Sequence, residues 1–319
     1  MLKRQRIVIT GGSGFIGSFL VEELIKKKFK NIVVMDNDPQ PKIGADYVKC
    51  DVFKDWSIVR KQIKTGDLVV HLAYSFTTSI SGIDRIKDAE KNIIGTLKFL
   101  EICKDRKIKK IIFASSGGTI YGNHDRKCRE SDETYPINFY GITKLAIEKY
   151  LHVYEHLYDI PYVVVRISNP YGRKTLSQKK LGAIDVFLRE AIRGKPILIW
   201  GDGKNTRDYI FIDDVTDFFL LAIEKETLRG IYNVGTGKGT SLNQILLLIG
   251  DILGHDLKPK YKPAREEDVK HNVLNIRKAK DAMWQPKYTL TRGLRVLYRE
   301  FNSKRELHGL KKSDMVLLP

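Results

Sequence analysis

The sequence predicts an α/β protein: a doubly wound parallel sheet with a smaller substrate-binding lobe interleaved toward the C-terminus. Three observations carry that prediction. Short apolar, β-branched runs alternate with segments of helical period. The runs are apolar throughout instead of at every second residue, and a glycine trio stands between the first run and the first helical segment. A strand that is apolar on both faces must be covered on both, so helices are expected above and below the sheet.

The first strand is expected at Ile7–Thr10, followed by a helix over Gly14–Lys28 and a second strand at Ile32–Met35. The run Leu68–Leu72 then leads to a helical segment at Asn92–Lys104, and Ile111–Ala114 to a helix at Tyr140–Tyr158, with a further strand at Tyr162–Ile167. Past about Tyr171 the pattern loosens into Gly, Pro and basic stretches, which marks the second lobe. The expected division is a sheet domain over 1–171, joined again by late strands within 209–234 such as Tyr209–Ile212 and Ile231–Val234. The substrate lobe then takes 172–208 and 235–319. No internal repeat or low-complexity tract interrupts this order.

With 319 residues, 42% of them hydrophobic and 29% charged, the chain is long enough to bury a full α/β core. The net charge of +18 raises the question of polyanions. Yet Lys26–Lys28, Lys109–Lys110 and the basic residues after Arg292 read as solvated helix faces and a tail. No nucleic-acid partner is expected, and the same field favours an anionic substrate. Cys50, Cys103 and Cys128 are odd in number and lack a CxxC spacing, which argues against a disulfide framework or structural zinc and fits a reducing cytoplasm. No apolar run reaches bilayer length, and the first strand lies so close to Met1 that no signal peptide is expected before it. His152-Val153-Tyr154-Glu155-His156 matches H-x-x-E-H, but no third ligand is in view and no metal is expected. His71 is expected as a structural neighbour at the end of its strand, and Lys311–Pro319 as a basic, then apolar tail that carries no chemistry.

The stretch Thr10–Gly17 reads TGGSGFIG, with Gly11, Gly14 and Gly17 three apart. Without a Cβ, the first can make the tight turn, the second admits a pyrophosphate, and the third lets helix pack on strand. The helix N-terminus then offers free N–H groups to phosphate. Asp36 ends the second strand about twenty residues on, where its carboxylate can accept from both ribose hydroxyls and repel a 2′-phosphate, which favours NAD over NADP.

Tyr140 and Lys144 are four apart at the start of a helix, on one face, so an ammonium stands near a phenol. Such a cation stabilises the phenolate and brings the tyrosine toward general-base duty. The spacing alone is common on helices. Its setting is not: TGGSGFIG, Asp36, Asp51-Val52, His71-Leu72-Ala73, Asn92, SSGGTIYG and YGITK occur in the order of the extended short-chain dehydrogenase/reductase family. RISNPYG at 166–172, GDGKNTRDYIFIDD at 201–214 and NVGTGKGTS at 233–241 resemble its NAD-dependent nucleotide-sugar epimerases and dehydratases, so the resemblance spans nearly the whole chain.

The resemblance implies a Rossmann sheet domain that binds NAD. Its cofactor contacts would come from Gly11, Gly14, Phe15, Ile16 and Gly17, from Asp36 and Asn37, from Asp51 and Val52 near adenine, and from Leu72, Ala73, Asn92 and Ser115 further along. Tyr140 would be the general base and acid, and Lys144 would hold the nicotinamide ribose and tune the tyrosine. Asn169, Arg207 and Arg265 would meet the substrate diphosphate, a task that suits the planar, always-charged guanidinium. The position where relatives place a catalytic Ser or Thr is Gly117 here, so Ser116 first, or Thr119, is expected to supply the hydroxyl to the substrate. Relatives that dehydrate sugars carry an acidic pair where this chain has Thr119-Ile120, which argues against dehydration. The expected reaction is C4 epimerisation of a UDP-linked hexose or N-acetylhexosamine through a transient 4-keto sugar, in a homodimer. The alternatives are a reductase or dehydrogenase of nucleotide-linked keto sugars and, remotely, a non-catalytic polyanion binder.

Overall fold

The computed structural model describes residues 2–39, 41–75, 84–172, 182–264 and 269–307. The sheet begins with β1 (Ile7–Thr10), β2 (Ile32–Asp36), β3 (Asp46–Lys49), β4 (Leu68–His71), β5 (Lys110–Ser116) and β6 (Tyr162–Ile167). The helices between them are α1 (Phe15–Lys26), α2 (Trp56–Gln62), α3 (Arg85–Asp88), α4 (Gly95–Asp105), the one-turn α5 (Gly117–Ile120) and α6 (Phe139–Tyr158). A π-helical turn, Ala89–Ile94, joins α3 to α4. Beyond β6 come β7 (Asn169–Tyr171), α7 (Ala183–Ile192), β8 (Leu198–Trp200), β9 (Thr206–Phe211), α8 (Ile212–Glu224) and β10 (Gly230–Val234). The described chain closes with β11 (Gly239–Ser241), α9 (Leu242–Leu253), β12 (Lys260–Lys262), β13 (His271–Asn272), α10 (Arg277–Asp281) and α11 (Leu290–Leu307).

Seven strands form the central sheet in the order β10-β6-β5-β4-β1-β2-β3, every neighbouring pair parallel. Ile7 is level with both Ile32 and Leu68. The continuous apolar runs are explained by what covers them. Ile7 and Ile9 point into a core shared with Leu20 and Leu24 of α1 and Phe218 and Phe219 of α8. Val8, between them, points into a second core with Phe99 and Leu100 of α4 and Ile147 and Leu151 of α6. Each fully buried phenylalanine contributes about 1.5–3 kcal/mol. The doubly wound class is therefore borne out. The edge strand β3 has no such run, because Asp46 and Lys49 are exposed. Chain order reverses between β1 and β4, which opens a crevice at the carboxyl ends of those strands.

One expectation needs correction. Tyr209–Ile212 does not return to the central sheet: β9 sits in a separate four-stranded sheet with β7, β11 and β13. Only the run at Ile231–Val234 joins the large sheet, beside β6. The helix that follows β9, α8, does return and packs on α1. Thus the chain crosses from small sheet to large core at Phe211–Ile212. The C-terminal part is tied to that crossing by Trp284, whose indole donates to the Asp214 carbonyl (3.2 Å), and by the Lys287 and Tyr288 amides, which donate to the Asp214 carboxylate (2.8 and 3.1 Å).

Candidate active site

The turn after β1 approaches the β4 strand end so closely that only glycine fits. Gly11 has φ +68°, and a Cβ there would lie 2.7 Å from the Ala73 nitrogen. A Cβ on Gly17 would lie 2.5 Å from the Gly11 carbonyl oxygen, so the third glycine sets how tightly α1 meets the turn. Gly14 precedes α1 in extended backbone and supplies no side-chain cap, leaving first-turn N–H groups for an anion. The Asp36 carboxylate at the tip of β2 accepts from the Ser13 and Asp38 amides, both at 3.0 Å. Gly11, Gly14, Asp36 and Asp38 line a cavity of about 350 Å³ with Asn37, Asp51, Val52, Leu72 and Ala73. A cradle that a Cβ would fill, a capless helix end and a fixed carboxylate suit a dinucleotide. Ser13, Phe53, Tyr74, Ser75 and Lys91 line the same cavity and were not anticipated, because nothing in their spacing marks them.

Asn138 caps α6 by accepting from the Gly141 amide at 2.8 Å, which starts the helix where Tyr140 and Lys144 share a face. Burial pushes the half-buried Tyr140 phenol up to about 12, while a hydrogen bond with Ser116 draws it down and the Asp88 charge raises it. Lys144 is buried and donates to the Ala114 carbonyl at 2.9 Å. Its ammonium lies 4.6 Å from the Tyr74 ring centre, 4.7 Å from Phe113 and 5.7 Å from Tyr140. Burial draws it down to about 7, against the Glu148 and Asp88 charges that raise it. His71 lies behind the lysine. Its Nδ1 meets the Thr10 hydroxyl at 2.8 Å, it stacks on Phe99, and burial with the nearby Lys144 lowers it to about 3, so it stays neutral.

The hydroxyl whose influence lowers the Tyr140 phenol is the one on Ser116, the last residue of β5. A side chain at Gly117 would lie 2.6 Å from Leu274 Cδ1 and 3.0 Å from the Arg166 carbonyl, so packing keeps that position bare. The Thr119 hydroxyl is buried with no hydrogen-bond partner among the described residues. Ser115 faces away and donates to Glu148, which is clamped by Arg166 (2.7 Å), itself bonded to Tyr121 (2.7 Å).

A second cavity, about 430 Å³, is lined by Asn169, Arg207, Tyr209, Phe187 and Trp200. Asn169 is steadied by donating to the Asp208 carbonyl at 3.0 Å. Neither cavity is lined by α5 or α6, but a residue in each wall touches one of them. Tyr74, in the wall of the first, packs edge-on against Tyr140 with ring centres 5.0 Å apart. Gly118, just past Ser116, faces the Asn169 side chain in the wall of the second, with a Cβ contact distance of 3.4 Å.

The fold thus brings Tyr140, Lys144 and Ser116 together, with Thr119 one turn on, and places Asn169 and Arg207 in one cavity. Phe15 and Ile16 lie in the first turn of α1, behind Gly14. Asn92 is buried and accepts from the Ser75 amide at 2.9 Å, so it shapes the first cavity's wall from behind. Arg265 lies outside the described residues. His152 and His156 are exposed on α6, and the described residues contain no cluster of three or more metal-ligating side chains. Among them no helix is long and apolar enough to cross a membrane.

Known proteins share this arrangement. The profile of the NAD dependent epimerase/dehydratase family matches residues 7–235. A UDP-glucose 4-epimerase of Mycolicibacterium smegmatis is 29% identical over 94% of this chain and 99% of its own length. A dTDP-4-dehydro-6-deoxyglucose reductase of Escherichia coli is 28% identical over 95% and 99%. The crystal structure of a UDP-glucose 4-epimerase from Thermotoga maritima with UDP-glucose superposes with a TM-score of 0.86 at 35% identity, covering 94% of this chain and 99% of the other. With the glycine cradle, Asp36 and the Tyr140–Lys144 pair in place, the chain belongs to the NAD dependent epimerase/dehydratase family.

Proposed function

We propose that this protein interconverts the C4 epimers of a UDP-linked hexose or N-acetylhexosamine through a transient 4-keto sugar. The observation that carries the reading is the Tyr140–Lys144 pair on one face of α6, packed through Tyr74 against the wall of the dinucleotide cavity. NAD, when bound by the Gly11–Gly17 turn, Asp36 and Lys144, supplies a hydride acceptor that can give the hydride back. Tyr140 takes the proton of the C4 hydroxyl and later returns it, with Ser116 and Thr119 orienting that oxygen. Lys144 favours the phenolate by its charge. Asn169 and Arg207 hold the diphosphate while the sugar turns over, so hydride can return to its other face.

A reductase of nucleotide-linked 4-keto sugars is the second reading, favoured by the similarity to the Escherichia coli enzyme. The two differ in cofactor balance, since only a reductase consumes reduced nicotinamide at each turnover. The test is to incubate purified protein with UDP-glucose, UDP-N-acetylglucosamine and their C4 epimers without added NADH. Epimer formation is expected. Oxidation of NADH by a nucleotide-linked 4-keto sugar, with no epimer from any of the four, would replace it with the reductase. In either case Tyr140→Phe is expected to lower turnover at least about 1000-fold, leaving NAD affinity within about twofold.

We further propose a homodimer. Ile142, Tyr150, Val153 and Leu157 form an exposed apolar stripe along α6, from 39 to 59% accessible, and Ile94 at the end of the π turn is exposed as well. Cys50, Cys103 and Cys128 are buried and free, which fits a reducing cytoplasm.

A further inference from the structure

The Asp88 carboxylate has no place in the chemistry above, yet it is 1% exposed and lies behind the catalytic helix. Four hydrogen-bond contacts converge on it from three other residues. The Tyr74 hydroxyl reaches both its oxygens (3.0 and 3.3 Å), the Asn92 amide donates to Oδ1 (3.0 Å), and the Thr143 hydroxyl donates to Oδ2 (3.0 Å). These partners come from the segment after β4, from the π turn and from α6. Each also touches the working parts. Tyr74 packs on the Tyr140 ring and under the Lys144 ammonium. Asn92 accepts from the Ser75 amide in the wall of the dinucleotide cavity. Thr143 directly precedes Lys144.

We propose that Asp88 is a positioning residue: its carboxylate locks Tyr74, Asn92 and Thr143 around the Tyr140–Lys144 pair and holds Lys144 in its charged form. The inference rests on the reading of that pair as catalytic. Neutral donors satisfy the Asp88 carboxylate, and in a water-poor interior a carboxylate's charge is felt strongly by a nearby ammonium. The groups that face Lys144 are His71 of β4, Tyr74, Asp88 of α3, Phe113 and the Ala114 carbonyl of β5, and Tyr140 and Glu148 of α6. Of these, Asp88 and Glu148 are the anions. Glu148 is already clamped by Arg166, which leaves Asp88 as the carboxylate without a salt-bridge partner among the described residues.

The first readout needs no turnover. In protein labelled with 13C-lysine, the ε-carbon signal of Lys144, identified by its loss in Lys144→Arg, is followed against pH in the wild type and in Asp88→Asn. The substitution preserves shape and removes charge. The Lys144 midpoint is expected to fall by on the order of half to one pH unit in Asp88→Asn; an unchanged midpoint overturns the electrostatic role. Should that variant fail to fold, Thr143→Val and Tyr74→Phe each remove one anchor and keep the charge. Both are expected to leave the midpoint in place and lower kcat about two- to tenfold at constant KM. Wild-type kcat in both overturns the positioning role. Failure of the catalytic reading shows separately, as full activity in Tyr140→Phe, and leaves the midpoint measurement valid.

Discussion

At the scale of single residues, packing decides which of several hydroxyls does the chemistry. Ser116, Gly117 and Thr119 lie within four positions, and the spacing to Tyr121-Gly122 points at the glycine. The structure turns β5 into α5 at Ser116 and presses Gly117 on Leu274, which leaves Ser116 as the hydroxyl that acts on the Tyr140 phenol. Ser116→Ala is expected to reduce kcat about 100-fold and Thr119→Val about tenfold or less, both at unchanged thermal midpoint, in initial-rate and melting assays. His71 gives a prediction about pH. Its folded value of about 3 against an ordinary 6.5 means that the unfolded chain binds a proton the folded one refuses throughout that window. The stabilisation is present above pH 6.5 and is lost as pH falls toward 3, with a slope near 1.4 kcal/mol per pH unit. Asp214 acts oppositely, since burial raises it from 3.8 to about 6 and its folded form holds an extra proton between those values. Urea titrations between pH 4 and 7 should therefore show a shallower rise of stability with pH in His71→Asn than in the wild type; equal slopes would contradict the assignment.

At the scale of elements, α6 does three jobs with two faces. One face carries Tyr140 and Lys144 and, a further turn on, Glu148, whose carboxylate meets Arg166 of β6 with both partners almost wholly buried. Arg166 also reaches Tyr121, and the Tyr121 hydroxyl reaches Asn233 of β10, so one guanidinium ties α6, β6 and the end of α5 together. Removing it leaves a buried carboxylate unpaired, which costs about 3–5 kcal/mol. Arg166→Met is expected to lose that much stability in chemical denaturation. It should also lower kcat through the disturbed β5 end, because the Glu148 it releases is bonded to Ser115, next to Ser116. A loss below about 1 kcal/mol would mean that the pair is screened or replaced by water. The same face packs into the core through Ile147 and Leu151, and the other face is the exposed apolar stripe.

At the scale of the whole molecule, one cavity opens where the sheet reverses order between β1 and β4, and the other lies against the small sheet that β7 and β9 build beyond β6. The charge of +18 belongs to this scale too, as a field that favours phosphate-bearing ligands over the whole surface. Burying the α6 stripe against a second copy would remove its apolar side chains from water. The native protein should therefore elute with about twice the 36.6 kDa chain mass in light-scattering chromatography, and Val153→Lys with Leu157→Lys should yield monomers. A monomeric wild type at micromolar concentration would refute the dimer.

The amino-acid order alone was enough for the fold class, the glycine turn, Asp36 and the Tyr140–Lys144 pair. Parallel strands buried on both faces write themselves as unbroken apolar runs, and a phosphate turn or a helix face is a matter of near neighbours in the chain. Other features depended on tertiary structure. β3 was illegible because an edge strand with Asp46 and Lys49 exposed has neither run nor alternation. The strand at Tyr209 looked like a late member of the large sheet, but its partners are set by β7, β11 and β13, far away along the chain. Asp88 with Tyr74, Asn92 and Thr143 left no pattern, since a hydrogen-bond cluster is made by apposition of distant segments. The same holds for Ser116, selected by Leu274 pressing on a glycine: local spacing names the chemistry, and long-range packing picks the atom that performs it.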